Sequence, residues 1–201
     1  PATAYVALDN HRNDDWRPYL FKTVDYGRTW SNVTGDLPVK GNINALREDP
    51  VNPNLLYAGT ATAGAWKSTD KGLNWTNVTK NLMGKFVQAV ELDPVNQNVA
   101  YAGLRADLMK TTDGGVTWNE VGGPTFVDSA SREILDIVVR PGNSNLVLAA
   151  CSDGLWYSNN GGSTFTLKLP GYFQEIELCP SAPDSVYVVK RDVFTNTAGT
   201  K

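Results

Sequence analysis

One eight-residue pattern recurs four times along the chain. Its copies are Thr23-Val24-Asp25-Tyr26-Gly27-Arg28-Thr29-Trp30, Ser68-Thr69-Asp70-Lys71-Gly72-Leu73-Asn74-Trp75, Thr111-Thr112-Asp113-Gly114-Gly115-Val116-Thr117-Trp118 and Ser158-Asn159-Asn160-Gly161-Gly162-Ser163-Thr164-Phe165. The closing aromatics are spaced by 45, 43 and 47 residues, the period of four-stranded propeller blades rather than of helical repeats. Within each copy a hydroxyl residue is followed by Asp or Asn two positions later and by Gly two positions after that. This is turn chemistry: the side-chain oxygen accepts from nearby backbone N–H groups and Gly supplies positive φ. The aromatic that follows starts the next strand as a large apolar anchor.

The rest of the period supplies the other strands. Partly alternating runs ending in Pro (Asn44 to Pro50, Gln88 to Pro94, Leu135 to Pro141, Glu175 to Pro180) read as a strand A, since Pro cannot donate to a ladder. Leu55 to Gly59, Val99 to Gly103, Leu146 to Ala150 and Ser185 to Val189 read as a strand B, with Ala4 to Leu8 as an earlier copy that has no strand A before it. An apolar pair before each signature marks strand C (Leu20-Phe21, Ala65-Trp66, Leu108-Met109, Leu155-Trp156, and Val193-Phe194), and strand D starts at each signature's aromatic. No segment sustains a helical stripe at i, i+3, i+4 and i+7, so the chain reads as all-β: a β-propeller of four-stranded antiparallel blades, about four and a half of them. Residues 1–201 form a single propeller segment with blade parts 1–40, 41–85, 86–132, 133–171 and 172–201. The leftovers at the two ends, B-C-D and A-B-C, do not complement each other, which favours part of a larger propeller. Assembly with itself or a partner through open blade edges is the other explanation.

These signatures resemble the Asp-box, or bacterial neuraminidase repeat, of sialidases, xyloglucan-type glycoside hydrolases, sortilin-type receptors and a photosystem II assembly factor. The stretch from Asp9 to Thr23 also looks like large secreted bacterial proteins of the sortilin-like or glycosyl-hydrolase-like kind. The resemblance implies a propeller whose boxes (Asp25, Trp30, Asp70, Trp75, Asp113, Trp118, Asn160 and Phe165) are structural and lie away from any catalytic cleft. It also implies a secreted protein, extracellular or periplasmic.

A formal charge of -3, with 19% charged residues, gives no electrostatic footprint for nucleic acid or an anionic membrane. No apolar run approaches the roughly 20 residues of a membrane span. Cys151 ends a strand B and Cys179 ends a strand A, toward opposite faces of neighbouring blades, so two buried thiols are expected rather than a disulfide. Three Asn-x-Thr triplets, at Asn32, Asn74 and Asn77, match glycosylation sequons but sit at recurrent strand D positions where these residues suit an edge. Trp30, Trp66, Trp75, Trp118 and Trp156 read as core.

If strand A runs away from the ligand face, B–C and D–A connections share that face, while A–B turns and boxes share the other. Loops on a rigid scaffold carry binding groups. The richest is the first B–C connection, with Asp9, His11, Asp14, Asp15 and Trp16; Arg105 and Asp107 belong to the same face. Carboxylates beside a Trp suit a sugar, the acids accepting hydroxyls under a stacked ring. Ca2+ on Asp9, Asp14 and Asp15 is an alternative, though the spacing matches no calcium loop, and a purely structural polar excursion is another. The box aspartates occupy equivalent positions on separate blades, too far apart to flank one glycosidic bond at about 5–5.5 or 6.5–9.5 Å. The function read from the sequence is a non-catalytic binding or structural propeller recognising a glycan or protein partner, with no metal or cofactor. Alternatives are a fragment of a glycoside hydrolase whose catalytic carboxylates lie partly outside this chain, and a self-assembling shell or filament subunit.

Overall fold

The computed structural model describes residues 2–9, 18–37, 41–82, 86–123, 126, 132–179 and 182–191. The first sheet contains β1 (Ala4–Asp9), β2 (Pro18–Thr23) and β3 (Ser31–Asn32). Three four-stranded sheets follow: β4 (Ile43–Glu48) to β7 (Thr76–Asn77) by way of β5 (Leu56–Thr60) and β6 (Gly64–Ser68); β8 (Val87–Leu92), β9 (Ala100–Leu104), β10 (Leu108–Thr111) and β11 (Asn119–Val121); and β12 (Ile134–Val139), β13 (Val147–Cys151), β14 (Gly154–Ser158) and β15 (Thr166–Pro170). A hairpin of β16 (Tyr172–Cys179) and β17 (Ala182–Arg191) completes the series. Among the described residues the strands pair antiparallel with their neighbours in sequence, the arrangement of propeller blades. Four strands A, five B, four C and four D are present among the described residues; the expected fifth strand C, at Val193-Phe194, lies outside them.

The four boxes fold alike. In the second, Ser68 Oγ accepts from Gly72 N at 2.9 Å and donates to Asp70 Oδ1 at 2.8 Å, while Asp70 accepts from Asn74 N at 2.8 Å and from Asn74 Nδ2 at 2.6 Å. Thr23 with Asp25, Thr111 with Asp113 and Ser158 with Asn160 repeat the lock. The glycine stands at φ between +84 and +90° in all four, Gly27, Gly72, Gly115 and Gly162, which is why no other residue serves there. Hydrogen bonds, that from the Thr29 or Thr117 hydroxyl foremost, hold the Asp25 and Asp113 carboxyls at about 2, so these boxes stay ionised at any ordinary pH. The Asn-x-Thr triplets at Asn32 and Asn77 are turns as well: Asn Oδ1 accepts from the N of Thr34 and Thr79, at 2.9 Å in both, closing β3 and β7.

The apolar core is divided among the seams between blades. One cluster joins Tyr57, Val78 and Leu82 to Val87, Val90 and Trp118; another joins Tyr101, Leu108 and Phe126 to Ile134, Val147 and Phe165. A third unites Leu20, Val33 and Leu37 with Leu56 and Trp75, and a fourth lies between β12–β14 and the β16/β17 hairpin. Trp75, Trp118 and Phe165 therefore each plug the seam between their own blade and the one before. Trp75 N donates to Asp36 Oδ1 of the preceding blade at 2.6 Å, and Trp118 N to Asn81 Oδ1 at 3.0 Å. Strand C contributes a second tie: Lys67 and Lys110 each donate from Nζ, at 2.8 Å, to the carbonyl of Gly114 and Gly161 in the next box, over the rings of Tyr57 and Tyr101. Gly59 and Gly103 stand one residue before the ends of β5 and β9, where a Cβ would meet Val87 and Ile134 of the next blade at 2.7 Å.

Two core expectations need correction. Trp30 is 42% exposed, with no described blade packed in front of it, whereas Trp75, Trp118 and Phe165 are all 5% exposed or less. Cys151 and Cys179 do carry thiols, but only Cys151 is buried; burial pushes its thiol up, while Cys179 is half-buried. Trp118→Ala in this chain should lower stability by about 3–5 kcal/mol, and Ser68→Ala, which strands the buried N–H of Gly72, by about 1–3 kcal/mol. Trp30→Ala should cost under about 1 kcal/mol, as expected for an exposed site. Urea denaturation of the three variants against the parent checks the order, and an equal loss at Trp30 and Trp118 would refute the seam-plug account.

Candidate functional site

The backbone sorts the connections into two ends. Lys71 N, Gly114 N and Gly161 N donate to the carbonyls of Asn54, Asn98 and Asn145, seating each box on the A–B turn of its own blade. At the other end Ala61 N bonds Asn42 O, Ala106 N bonds Arg132 O and Ser152 N bonds Glu133 O, so B–C connections lie on D–A connections. Those connections carry the expected ligand residues.

Of those residues, His11, Asp14, Asp15 and Trp16 lie outside the described residues, and Asp9 closes β1 opposite Pro18. Arg105 and Asp107 stand together in the tight turn from β9 to β10, where Leu104 N bonds Asp107 O at 2.9 Å. Arg105 is an open cation: its Nε lies 3.5 Å from Glu133 Oε1 and its guanidinium 5.0 Å from the Phe86 ring centroid. Burial pushes the Asp107 carboxyl above its ordinary range.

The next seam carries a tighter pair that the sequence did not single out. Arg132 Nε lies 2.8 Å from Asp153 Oδ2 and its Nη2 2.7 Å from the same oxygen, with the guanidinium 4.3 Å from the Trp156 centroid and 4.7 Å from that of Phe126. Trp156 Nε1 also donates to Asp153 Oδ1 at 3.1 Å, so Asp153 is oriented by two side chains while part of it remains open to solvent. Such an arrangement fixes an acceptor on the loop face and suits a hydroxyl-bearing ligand. The available signal was Arg132 and Asp153 both standing at strand ends on that face, but the separation of 21 residues hid the pair.

A second cluster lines the propeller axis. The first strands of successive blades, β4, β8, β12 and β16, lie side by side around a groove of about 550 Å³. On its wall Arg47 Nε meets Glu91 Oε2 at 2.9 Å and Arg47 Nη2 meets Asp136 Oδ1 at 3.0 Å. Asp136 Oδ2 also accepts from Ile176 N at 2.9 Å. Burial pushes the Glu91 carboxyl up to about 7 against the pull of Arg47, and raises Asp136 as well. Both carboxylates share one guanidinium, so a glycosidic oxygen would have to displace Arg47 to reach either. The geometry is that of a brace between blades. Within strands of ordinary alternation, Arg47, Glu91 and Asp136 read as unremarkable polar positions; only the convergence of inner strands at the axis joins them.

Among the described residues no three His, Cys, Asp or Glu side chains are arranged to hold a metal ion, and no helix is long and apolar enough to cross a membrane.

Residues 63–197 match the family model described as Sortilin-Vps10: Sortilin, neurotensin receptor 3. Among curated proteins, the xyloglucanase Xgh74A of Acetivibrio thermocellus is 30% identical over 61% of this chain, and a xyloglucanase of Hypocrea jecorina 34% identical over 37% of it. The chain spans only 18% and 10% of their respective lengths. Among solved structures, the GH74 enzyme of Niastella koreensis superposes with a TM-score of 0.70 at 24% identity, covering 94% of this chain and 31% of that one. YCF48 from Cyanidioschyzon merolae gives 0.66 at 15% identity, covering 96% and 64%. Both support the propeller fold, and the curated relatives favour the glycoside hydrolase alternative over a non-catalytic module.

Removing either member of the Arg132–Asp153 pair should have unequal effects. Arg132 is 4% exposed and Asp153 39%, so Asp153→Ala strands a buried cation and should cost about 3 kcal/mol or more. Arg132→Met leaves a carboxylate that water can reach and should cost about 1–2 kcal/mol. Thermal unfolding of both variants checks the order, and a larger loss for Arg132→Met would show that the aromatic contacts of the guanidinium dominate.

Proposed function

The chain belongs to the Sortilin-Vps10 family, and from that premise we propose that it is a blade series of an exported glycoside hydrolase acting on a xyloglucan-type β-glucan. The observation that carries the reading is the run of xyloglucanases among the curated relatives. The loop end of the blades supports it, with acceptors and cations on one face: Asp107 and Arg105 in one turn, Glu133 beside them and Asp153 across the seam. In this reading the loop face forms one wall of a polysaccharide cleft. From the sequence alone, Asp9, His11, Asp14 and Asp15 are assigned to sugar hydroxyls and Trp16 to stacking on a sugar ring. Arg105 and Asp107 contact hydroxyls. In this reading the catalytic carboxylates lie partly outside this segment.

The test is release of reducing ends from xyloglucan and from unsubstituted β-1,4-glucan by the complete protein and by this 201-residue chain. Cleavage of xyloglucan by the complete protein, with none by the chain alone, is expected. Trp16→Ala in the complete protein should weaken polysaccharide binding roughly tenfold or more, since a few aromatic anchors dominate contact energies. Binding without cleavage by the complete protein would overturn the enzymatic reading in favour of a non-catalytic glycan-binding propeller. Neither binding nor cleavage would point to a protein partner or to self-assembly.

A further inference from the structure

The axis cluster joins more blades than any other group of side chains described. Arg47 reaches from β4 to Glu91 on β8 and past that strand to Asp136 on β12. Asp136 in turn takes the N–H of Ile176 on β16, so one connected network touches the innermost strands of four successive blades. Its charges do not balance. One guanidinium faces two carboxylates in the groove, and Glu175 and Glu177 of β16 and Glu48 of β4 line the same groove without adding a cation. Glu91 and Asp136 are sheltered, 18% and 10% exposed, so water screens the surplus poorly. A carboxylate in such surroundings gains by taking up a proton.

We propose that the axis cluster is a proton-operated brace, in which Glu91 takes up the proton that one guanidinium facing two sheltered carboxylates leaves room for, so that the charge of Arg47 is matched by Asp136 alone and the blade series is stabilised. The groups facing Glu91 are Arg47 from β4 and Asp136 from β12, with the backbone N–H of Val139 beside it; Glu175 and Glu177 act on the brace through Asp136 and Arg47. The direction with pH follows. The Glu91 carboxyl titrates at about 7 when folded and at 4.5 when free, so the stability it contributes is complete below the lower value and is lost as pH rises through the upper one. The brace is tight in mild acid and loose in mild alkali.

The experiment is the melting temperature of the chain between pH 5.5 and 8, with Glu91→Gln and Asp136→Asn beside the parent. The parent should melt higher at the acid end. Glu91→Gln, an uncharged equivalent of the protonated side chain, should remove most of that slope and match or exceed the parent at pH 8. In Asp136→Asn a single carboxylate keeps Arg47 to itself, so the remaining slope should move to lower pH. A Glu91→Gln slope equal to the parent's, or a flat parent profile, would overturn the proposal. If Glu91→Gln does not fold, carboxyl carbon shifts of labelled glutamates in the parent provide the readout, and no glutamate titrating above pH 6 would overturn it. Adding Ca2+ at pH 8 separates a proton from a metal ion: stabilisation by Ca2+ that is lost in Glu91→Gln would overturn proton binding as the operating event.

Discussion

Everything in this fold depends on one placement: in three successive boxes the large side chain that ends the box is buried in the seam in front of its own blade. A four-stranded blade cannot cover its faces alone, and Trp75, Trp118 and Phe165 are the groups that close the gap. The hydroxyl and carboxyl groups of the box aim that aromatic by fixing the turn before it. The hydroxyls are buried, and the more open position of the carboxyls does not diminish their role, because both bond backbone N–H groups within the loop. The lysine ties of Lys67 and Lys110 add a polar stitch at the rim of the same seams. In the fourth blade Leu148 and Tyr157 stand where the first three carry Tyr and Lys, and Lys168 lies over the Tyr157 ring instead.

Periodicity made the blades legible before any coordinates. The strands A to D, the box turns and the shared end of B–C and D–A connections all follow from residue types repeated at one spacing, because a repeat states the same local problem several times. Trp30 shows the limit of that logic. Its sequence context equals that of Trp75, yet its burial depends on what stands in front of it, which local pattern does not encode. The candidate site was less legible. Arg132 with Asp153, and Arg47 with Asp136, are pairings between different blades at positions that are not equivalent in the repeat, while Arg47 and Glu91 hold the same strand A position with opposite charges. A repeat pattern defined by residue type averages such differences away, whereas the loop from Asp9 to Pro18 is dense in polar groups in one stretch of sequence.

The loop end and the axis divide the labour of the polar groups. At the loop end Arg105, Asp107 and Asp153 keep some access to solvent. At the axis the same chemical groups are turned on one another. A blade-built protein can vary the first set while keeping the second, since the two are separated by the length of strand A.

The seams have a polarity that bears on assembly. On one side of each stand strand C and the D–A loop of the earlier blade; on the other stand the box and inner strand of the later one. Such a surface does not match its own copy, so a two-fold pair of chains meeting through it is geometrically unsuited. Any association that reuses it is heterologous, front to back. Growth by that rule gives either a ring, when the rotation per blade closes, or a superhelical ribbon when it does not, and the choice is set by the small angle at which one aromatic enters the seam ahead of it.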